Sequence, residues 1–200
     1  MIFTIFKYSD SLGLWRYDMD LELVIKDLGN LVSKLVLPER KPHVDGVVDF
    51  CRRLSKRYNV DSKILEIMAL AHDVFRDVEA TTLMRMARAY NIQITELHQK
   101  KPILLHGLVA AEFIKSKYGI TDEDVLLGVA YHTSGHPNFG TYSKMLALAD
   151  SLEFTRVYDK VNQLRELAFY DMEIAYKEVI RNKIVYAVNY NLYVLPYTLE

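Results

Sequence analysis

From about residue 20 onward, apolar residues return at intervals of three and four, with short polar stretches between the runs. This rhythm predicts helices over about residues 20–37, 43–58, 61–73, 80–90, 105–118, 121–132, 141–154 and 159–193, the last of them broken. The punctuation agrees. Pro38 and Pro42 flank a turn, Asp61 suits an N-cap, and Gly119 follows one helix as a C′ residue. Thr121 with Asp124 has the form of a capping box for the next helix. Ahead of all this, the run IFTIF is β-branched and aromatic, which predicts a short strand. The expected architecture is all-α, a bundle of helices with short connections over residues 18–200. Residues 1–17 form an N-terminal strand or extension that covers a site, extends the core or makes a homodimer contact.

The apolar stripes are interrupted by polar residues at a few places. His43 shares a stripe with Val47, Phe50, Cys51 and Leu54, and His72 follows Ile64, Leu65 and Met68. His106 leads Val109, Ala110 and Phe113, while His132 closes a stripe with Val125, Gly128 and Val129. Asp150 sits one turn beyond Leu146, and Asp73 directly follows His72 in MALAHDVFRD. A single histidine on such a face is ordinarily a hydrogen-bonded core residue. Burying several imidazoles and carboxylates together costs several kcal/mol for each uncompensated charge. Mutual pairing satisfies two or three of them, whereas a cation satisfies all six. Neutral imidazole nitrogen and ionised carboxylate oxygen are both good metal ligands, so these residues are candidate metal ligands.

Composition changes this picture little. Half of the 200 residues are hydrophobic, enough for a sizeable core, and the formal charge of −1 gives no positive field to recommend a nucleic-acid polymer as partner. A single cysteine, Cys51, excludes an internal disulfide and a zinc ribbon and suits a reducing, cytoplasmic compartment. No stretch approaches the roughly 20 apolar residues of a membrane helix. Neither a signal peptide nor a membrane partner is expected.

The order H…HD…D, carried by His43, His72, Asp73 and Asp150, resembles the signature of the HD-domain superfamily of metal-dependent phosphohydrolases. His106 and His132 stand where its dinuclear branch carries two further histidines. The flanks are similar to the YqeK family more closely. LLHGLVAAEFI, YHTSGHP, LALADSLEFTR and LRELAFYDMEIA correspond to that family's LLHGPVGA, YHTTGRP, ADYIEPxR and LRxLAxxDxxxA. RKPHVDGV resembles its RYEHTLGV, HDVFRD its HDYAKD, and the closing LPYTLE its HPRTLE. The resemblance covers about residues 25–200.

It implies an HD-domain bundle that splits diadenosine tetraphosphate symmetrically into two ADP by attack of a metal-bridging hydroxide. It also implies two metal ions, iron by the family, although such ligands accept manganese, cobalt or zinc as well. Carried over, His43, His72, Asp73 and Asp150 would bind one ion, and Asp73 would bridge to a second held by His106 and His132. Two cations about 3.5–4 Å apart lower the pKa of a bridging water and neutralise phosphoryl oxygen. Arg76 and Arg156 are candidates to meet the phosphates, Asp77 to orient Arg76 or assist proton transfer, and Thr133 and His136 to meet phosphate or ribose.

The departures lie outside the ligand set. Arg76 replaces the family's Lys, His136 its Arg, and Ser151 and Phe154 its Tyr and Pro. They leave open an HD-type phosphohydrolase acting on another nucleotide or small phosphate ester. A non-catalytic nucleotide-binding module fits the complete ligand set less well. Elsewhere the plain readings hold: His98 exposed, Cys51 in the core, RRLSKR a solvated face. The tyrosines of YAVNYNLYVLPY pack at helical spacing, with stacking on adenine as the alternative.

Overall fold

The computed structural model describes residues 6–9, 15–18, 20–194 and 196–199. Its helices are α1 (Leu21–Leu35), α2 (Lys41–Tyr58), α3 (Ser62–Ala71), α4 (Ala80–Ala89), α5 (Glu96–Lys100), α6 (His106–Tyr118), α7 (Glu123–Tyr131), α8 (Thr141–Leu152), α9 (Val161–Tyr170) and α10 (Met172–Asn189). The expected all-α bundle is what forms. Ahead of α1 lies an antiparallel pair, β1 (Phe6–Ser9) with β2 (Trp15–Asp18), in the register Phe6 to Asp18, which shares only Phe6 with the strand expected over IFTIF. Most of the IFTIF run lies outside the described residues.

Local chemistry sets the helix ends. The Asp20 side chain accepts from the Glu22 and Leu23 amides to start α1, and Asp61 accepts from Lys63 to start α3. Asn59 and Gly119 end α2 and α6 in the left-handed region, at φ 54° and 72°. One expectation needs correction: the N-cap of α7 is Asp122, which accepts from Val125, not Thr121 with Asp124. The Asp124 carboxylate instead takes the Gly140 and Tyr142 amides, at 2.7 and 2.8 Å, and the Ser143 hydroxyl. It thus caps the start of α8 from a neighbouring helix. The break expected in the last predicted helix falls at Asp171, which ends α9 and caps α10 through the Ile174 amide. The short α5 was not anticipated, because five residues carry too little apolar period to register.

Two helices occupy the middle. α3 packs against α1, α2, α6, α7 and α8, and nearly every side of its SKILEIMALA sequence is buried. α8 packs against α2, α3, α7, α9 and α10, with Met145 through Ala149 inaccessible. Helices that are apolar all round belong in the interior of a bundle. The carboxyl ends of α3 and α7 both lead into buried residues, and their last carbonyls carry partial negative charge. The residues immediately beyond those ends are His72 and His132.

Candidate metal centre

Five segments bring their polar residues to one buried point. His43 comes from the first turn of α2, His72 and Asp73 from the end of α3, His106 from the start of α6 and His132 from the end of α7. Asp150 comes from the last turns of α8. His43, His72, Asp73, His106 and His132 are all buried, and Asp150 is nearly so.

The donors form two groups that share Asp73: His43, His72 and Asp73, and then Asp73, His106 and His132. Each group has its donor atoms within 4.8 Å of one another. The carboxylate divides between them. Asp73 Oδ1 lies 3.1 Å from His106 Nε2 and 3.6 Å from His132 Nε2, while Oδ2 lies 3.9 Å from both His43 Nε2 and His72 Nε2. Asp150 joins the first group at its edge, its Oδ1 3.4 Å from His43 Nε2.

The opposite ring nitrogens show what this arrangement suits. His72 Nδ1 donates to the Ala69 carbonyl at 2.6 Å, His106 Nδ1 to Ile103 at 2.6 Å and His132 Nδ1 to Val129 at 2.9 Å. His43 Nδ1 donates to Glu153 Oε1 at 3.0 Å. With each Nδ1 committed as a donor, the neutral ring presents the lone pair of Nε2 inward. Yet His43 and His72 bring their Nε2 atoms to 3.4 Å, and His106 and His132 to 3.2 Å. Facing lone pairs with carboxylates beside them form a cluster rich in acceptors and poor in donors. A divalent cation is what satisfies it, and nitrogen with carboxylate oxygen suits a transition metal.

Electrostatics agree. Burial opposes ionisation of Asp73 and Asp150, yet neighbouring histidines, with Lys183 for Asp150, hold both carboxyls well below the usual range. Burial pushes His72 down to about 4, so its ring is neutral and ready to coordinate. His43 is the exception: burial opposes charge on it, but Asp150 and Glu153 outweigh burial and raise that ring to about 9, so without metal it holds a proton that coordination would displace.

The residues around the donors differ in part from expectation. Arg156 donates from Nη2 to Asp150 Oδ1 at 2.9 Å and from Nε to the Asp150 carbonyl at 2.8 Å, which puts its guanidinium against the first group. Arg76 is near enough for its charge to disfavour a proton on His106, and it makes no side-chain hydrogen bond or ion pair among the described residues. Asp77 does not orient Arg76. Its carboxylate takes Arg40 Nε at 3.0 Å and the Leu37 amide at 3.0 Å, which ties the entry of α2 to the loop after α3. Thr133 is exposed beside His132, and His136 is half-buried among the rings of Tyr131, Phe139 and Tyr197. Phe154 is exposed. His98 is half-buried, contrary to the solvated reading, because it shares a capping box with Thr95 at the start of α5.

Three residues escaped the sequence reading. Glu153 is wholly buried and accepts from His43 Nδ1, the Thr155 amide and the Thr155 hydroxyl. Arg40 reaches Asp73 Oδ2 at 3.7 Å as well as Asp77. Lys183, from α10, donates to the His132 and Thr133 carbonyls at 3.0 and 3.2 Å and lies 3.7 Å from Asp150 Oδ2. The signal for Glu153 was its place within LALADSLEFTR, a motif read for Asp150, Arg156 and the departures Ser151 and Phe154 but not for its glutamate.

Glu153 fixes the ring of a ligand without touching the donor centre, the usual task of a carboxylate behind a histidine. Glu153→Ala is expected to weaken divalent-ion affinity roughly 10–100-fold, measured by competition with a chromogenic chelator. Unchanged affinity would mean that helix packing alone holds His43.

Known proteins agree with this geometry. The HD domain family matches residues 40–155. A Bacillus subtilis protein named symmetrical bis(5'-nucleosyl)-tetraphosphatase is 32% identical over 169 residues, covering 84% of this chain and 89% of that one. Its namesake from Halalkalibacterium halodurans is 32% identical over 177 residues, covering 84% and 90%. A Clostridium acetobutylicum crystal structure, described as a predicted HD superfamily hydrolase involved in NAD metabolism, superposes with a TM-score of 0.80. It shares 27% identity and covers 88% of this chain and 93% of its own.

Proposed function

The chain belongs to the HD-domain family, and from that membership we propose that it is a symmetrical bis(5'-nucleosyl)-tetraphosphatase, a metal-dependent hydrolase that cleaves diadenosine tetraphosphate into two ADP. The observation that carries the reading is the shared carboxylate of Asp73, one oxygen toward each pair of histidines. That arrangement supports a two-ion centre, with iron as the metal that the resemblance implies. His43, His72, Asp73 and Asp150 would hold one ion, and Asp73, His106 and His132 the other. Divalent ions held there supply a nucleophilic water at neutral pH and neutralise charge on a phosphoryl oxygen.

The chain's own residues supply the rest. Arg156 and Lys183 flank the first donor group, and Arg76 flanks the second, so positive charge stands on both sides of the reacting phosphorus. A tetraphosphate spread across the centre meets a cation at each end, which supports attack at an inner phosphorus and an ADP leaving group with stabilised charge. Arg40 and Glu153 keep Asp73 and His43 in place, so the donors are organised before substrate arrives. A cytoplasmic setting suits both the substrate and the lone, buried Cys51. Among the described residues, no helix is long and apolar enough to cross a membrane.

Metal-loaded protein incubated with diadenosine tetraphosphate is expected to yield ADP as the sole nucleotide product, resolved by anion exchange. AMP with ATP would place the cleaved bond between an outer and an inner phosphorus and remove the symmetrical reading. No turnover, with both ions bound, would favour a phosphohydrolase of different substrate.

A further inference from the structure

Beside the second donor group opens a cleft of about 840 Å³, whose wall includes His106 and Thr133. The cleft thus borders the second donor group through His106. Its volume falls in the range, about 300–1,000 Å³, of clefts that enclose small organic ligands. Its lining is poor in positive charge: among the described residues that line it, Lys100 is the one lysine or arginine. A polyphosphate would be badly served there. Aromatic surface is what the cleft offers instead, from Tyr131 at the end of α7 and from Tyr193 and Tyr197 near the carboxyl terminus.

Those rings are already assembled. Tyr197 stands edge-on to Tyr131, centroids 5.2 Å apart at 73°, and lies 4.9 Å from His136 at 42°. His136 and Tyr131 complete the triangle at 4.9 Å and 34°. Each ring is fixed by two others, so the wall needs little rearrangement to receive a planar ligand. His136 and Tyr197 also belong to YHTSGHP and LPYTLE, where the resembled motifs read Arg at both positions. In this chain the two departures touch each other, and together they exchange charge for aromatic surface.

We propose that the wall formed by Tyr131 and Tyr197, with His136 packed against both rings outside the cleft lining, is a nucleobase subsite, on which one base of the dinucleotide stacks while its phosphates lie at the metal centre; the inference rests on the nucleotide hydrolase reading above. Tyr197 is then a base-binding residue brought to the cleft by the last turn of the chain. It recognises the planar base and not the phosphates, and stacking accepts any base with a π face.

The test compares ADP with inorganic pyrophosphate, each titrated calorimetrically into metal-loaded protein. Tyr197→Ala is expected to weaken ADP binding roughly tenfold, the effect of losing one base–aromatic stack, and to leave pyrophosphate at wild-type affinity. Tyr197→Phe should restore ADP. Unchanged ADP binding overturns the subsite. Equal weakening of ADP and pyrophosphate also overturns it, because the ring would then be supporting the metal centre. The readout does not depend on turnover. If the wild type fails to cleave diadenosine tetraphosphate, the hydrolase reading falls separately, while selective loss of ADP would still establish the stacking wall.

Discussion

Asp73→Asn is expected to lower kcat/KM by at least about a thousandfold and to release metal from both donor groups at once. The substitution is nearly isosteric, so packing around the end of α3 is kept. What goes is the negative charge that two pairs of histidines share. Replacing one carboxylate oxygen by an amide nitrogen also turns a donor of protons toward at least one pair of ring nitrogens. Arg40 loses one partner but keeps Asp77, which holds the entry of α2 where it was. Metal stoichiometry per chain is the measurement, with helical circular dichroism as the control for folding. The comparison is His106→Ala, which removes a ligand from the second group only and should leave one ion bound. Should Asp73→Asn retain two ions while His106→Ala loses one, the carboxylate does not bridge.

The second large effect comes from a residue with no side chain. Gly107 directly follows His106 and lies against the end of α7. A Cβ there would stand 2.6 Å from the Ala130 carbonyl oxygen and 2.8 Å from that of Val129. Both are backbone atoms, fixed by the helix that delivers His132, so neither can swing aside. Helix propensity alone would make Gly→Ala favourable by about 1 kcal/mol. Overpacking against rigid neighbours costs about 1–3 kcal/mol or more, and here the obstruction is backbone, so the clash wins. Gly107→Ala is expected to destabilise the metal-free protein by about 2 kcal/mol, which for a chain of this size lowers Tm by roughly 4–8 °C. It also drives α6 from α7, and so parts His106 from His132, now 3.2 Å apart at their Nε2 atoms. One ion should be lost. A melt in chelator within about 1 °C of wild type would show that the two helices can separate at no cost.

These two residues mark what could be read from the chain beforehand. Helix period places His43, His72, His106 and His132 among apolar neighbours, and periodicity is a local property, so the ligand set was legible. Gly107 was visible only as part of LLHG, since which backbone it must approach depends on how α6 meets α7. Partner choice over long separations was equally hidden. Glu153 serves a histidine 110 positions away, and Lys183 reaches the His132 carbonyl across 51. Asp124 was misplaced for the same reason: its carboxylate prefers a cluster of amides 16 to 19 positions on to the nearer cap of its own helix. The hairpin ahead of α1 was not legible: the β-branched run predicts a strand over residues 2–6, of which only Phe6 falls in β1, and neither strand carries a β-branched residue.

The donors also lie far apart along the backbone. His43 and His72 are 29 positions apart and His106 and His132 are 26 apart, whereas His43 and Asp150 are separated by 107, from 150 − 43. Much of the remaining packing joins successive helices, such as α2 with α3 and α6 with α7. Closing a long loop costs entropy that short-range pairs avoid, so those helix pairs can form before the donors meet. A bound ion then behaves as a clasp fastened after folding is nearly complete. It leaves the refolding rate almost untouched and slows unfolding, because interactions absent from the transition state act on that limb. The lifetime of the folded chain, and its resistance to proteases that wait for it to open, therefore follows the supply of metal.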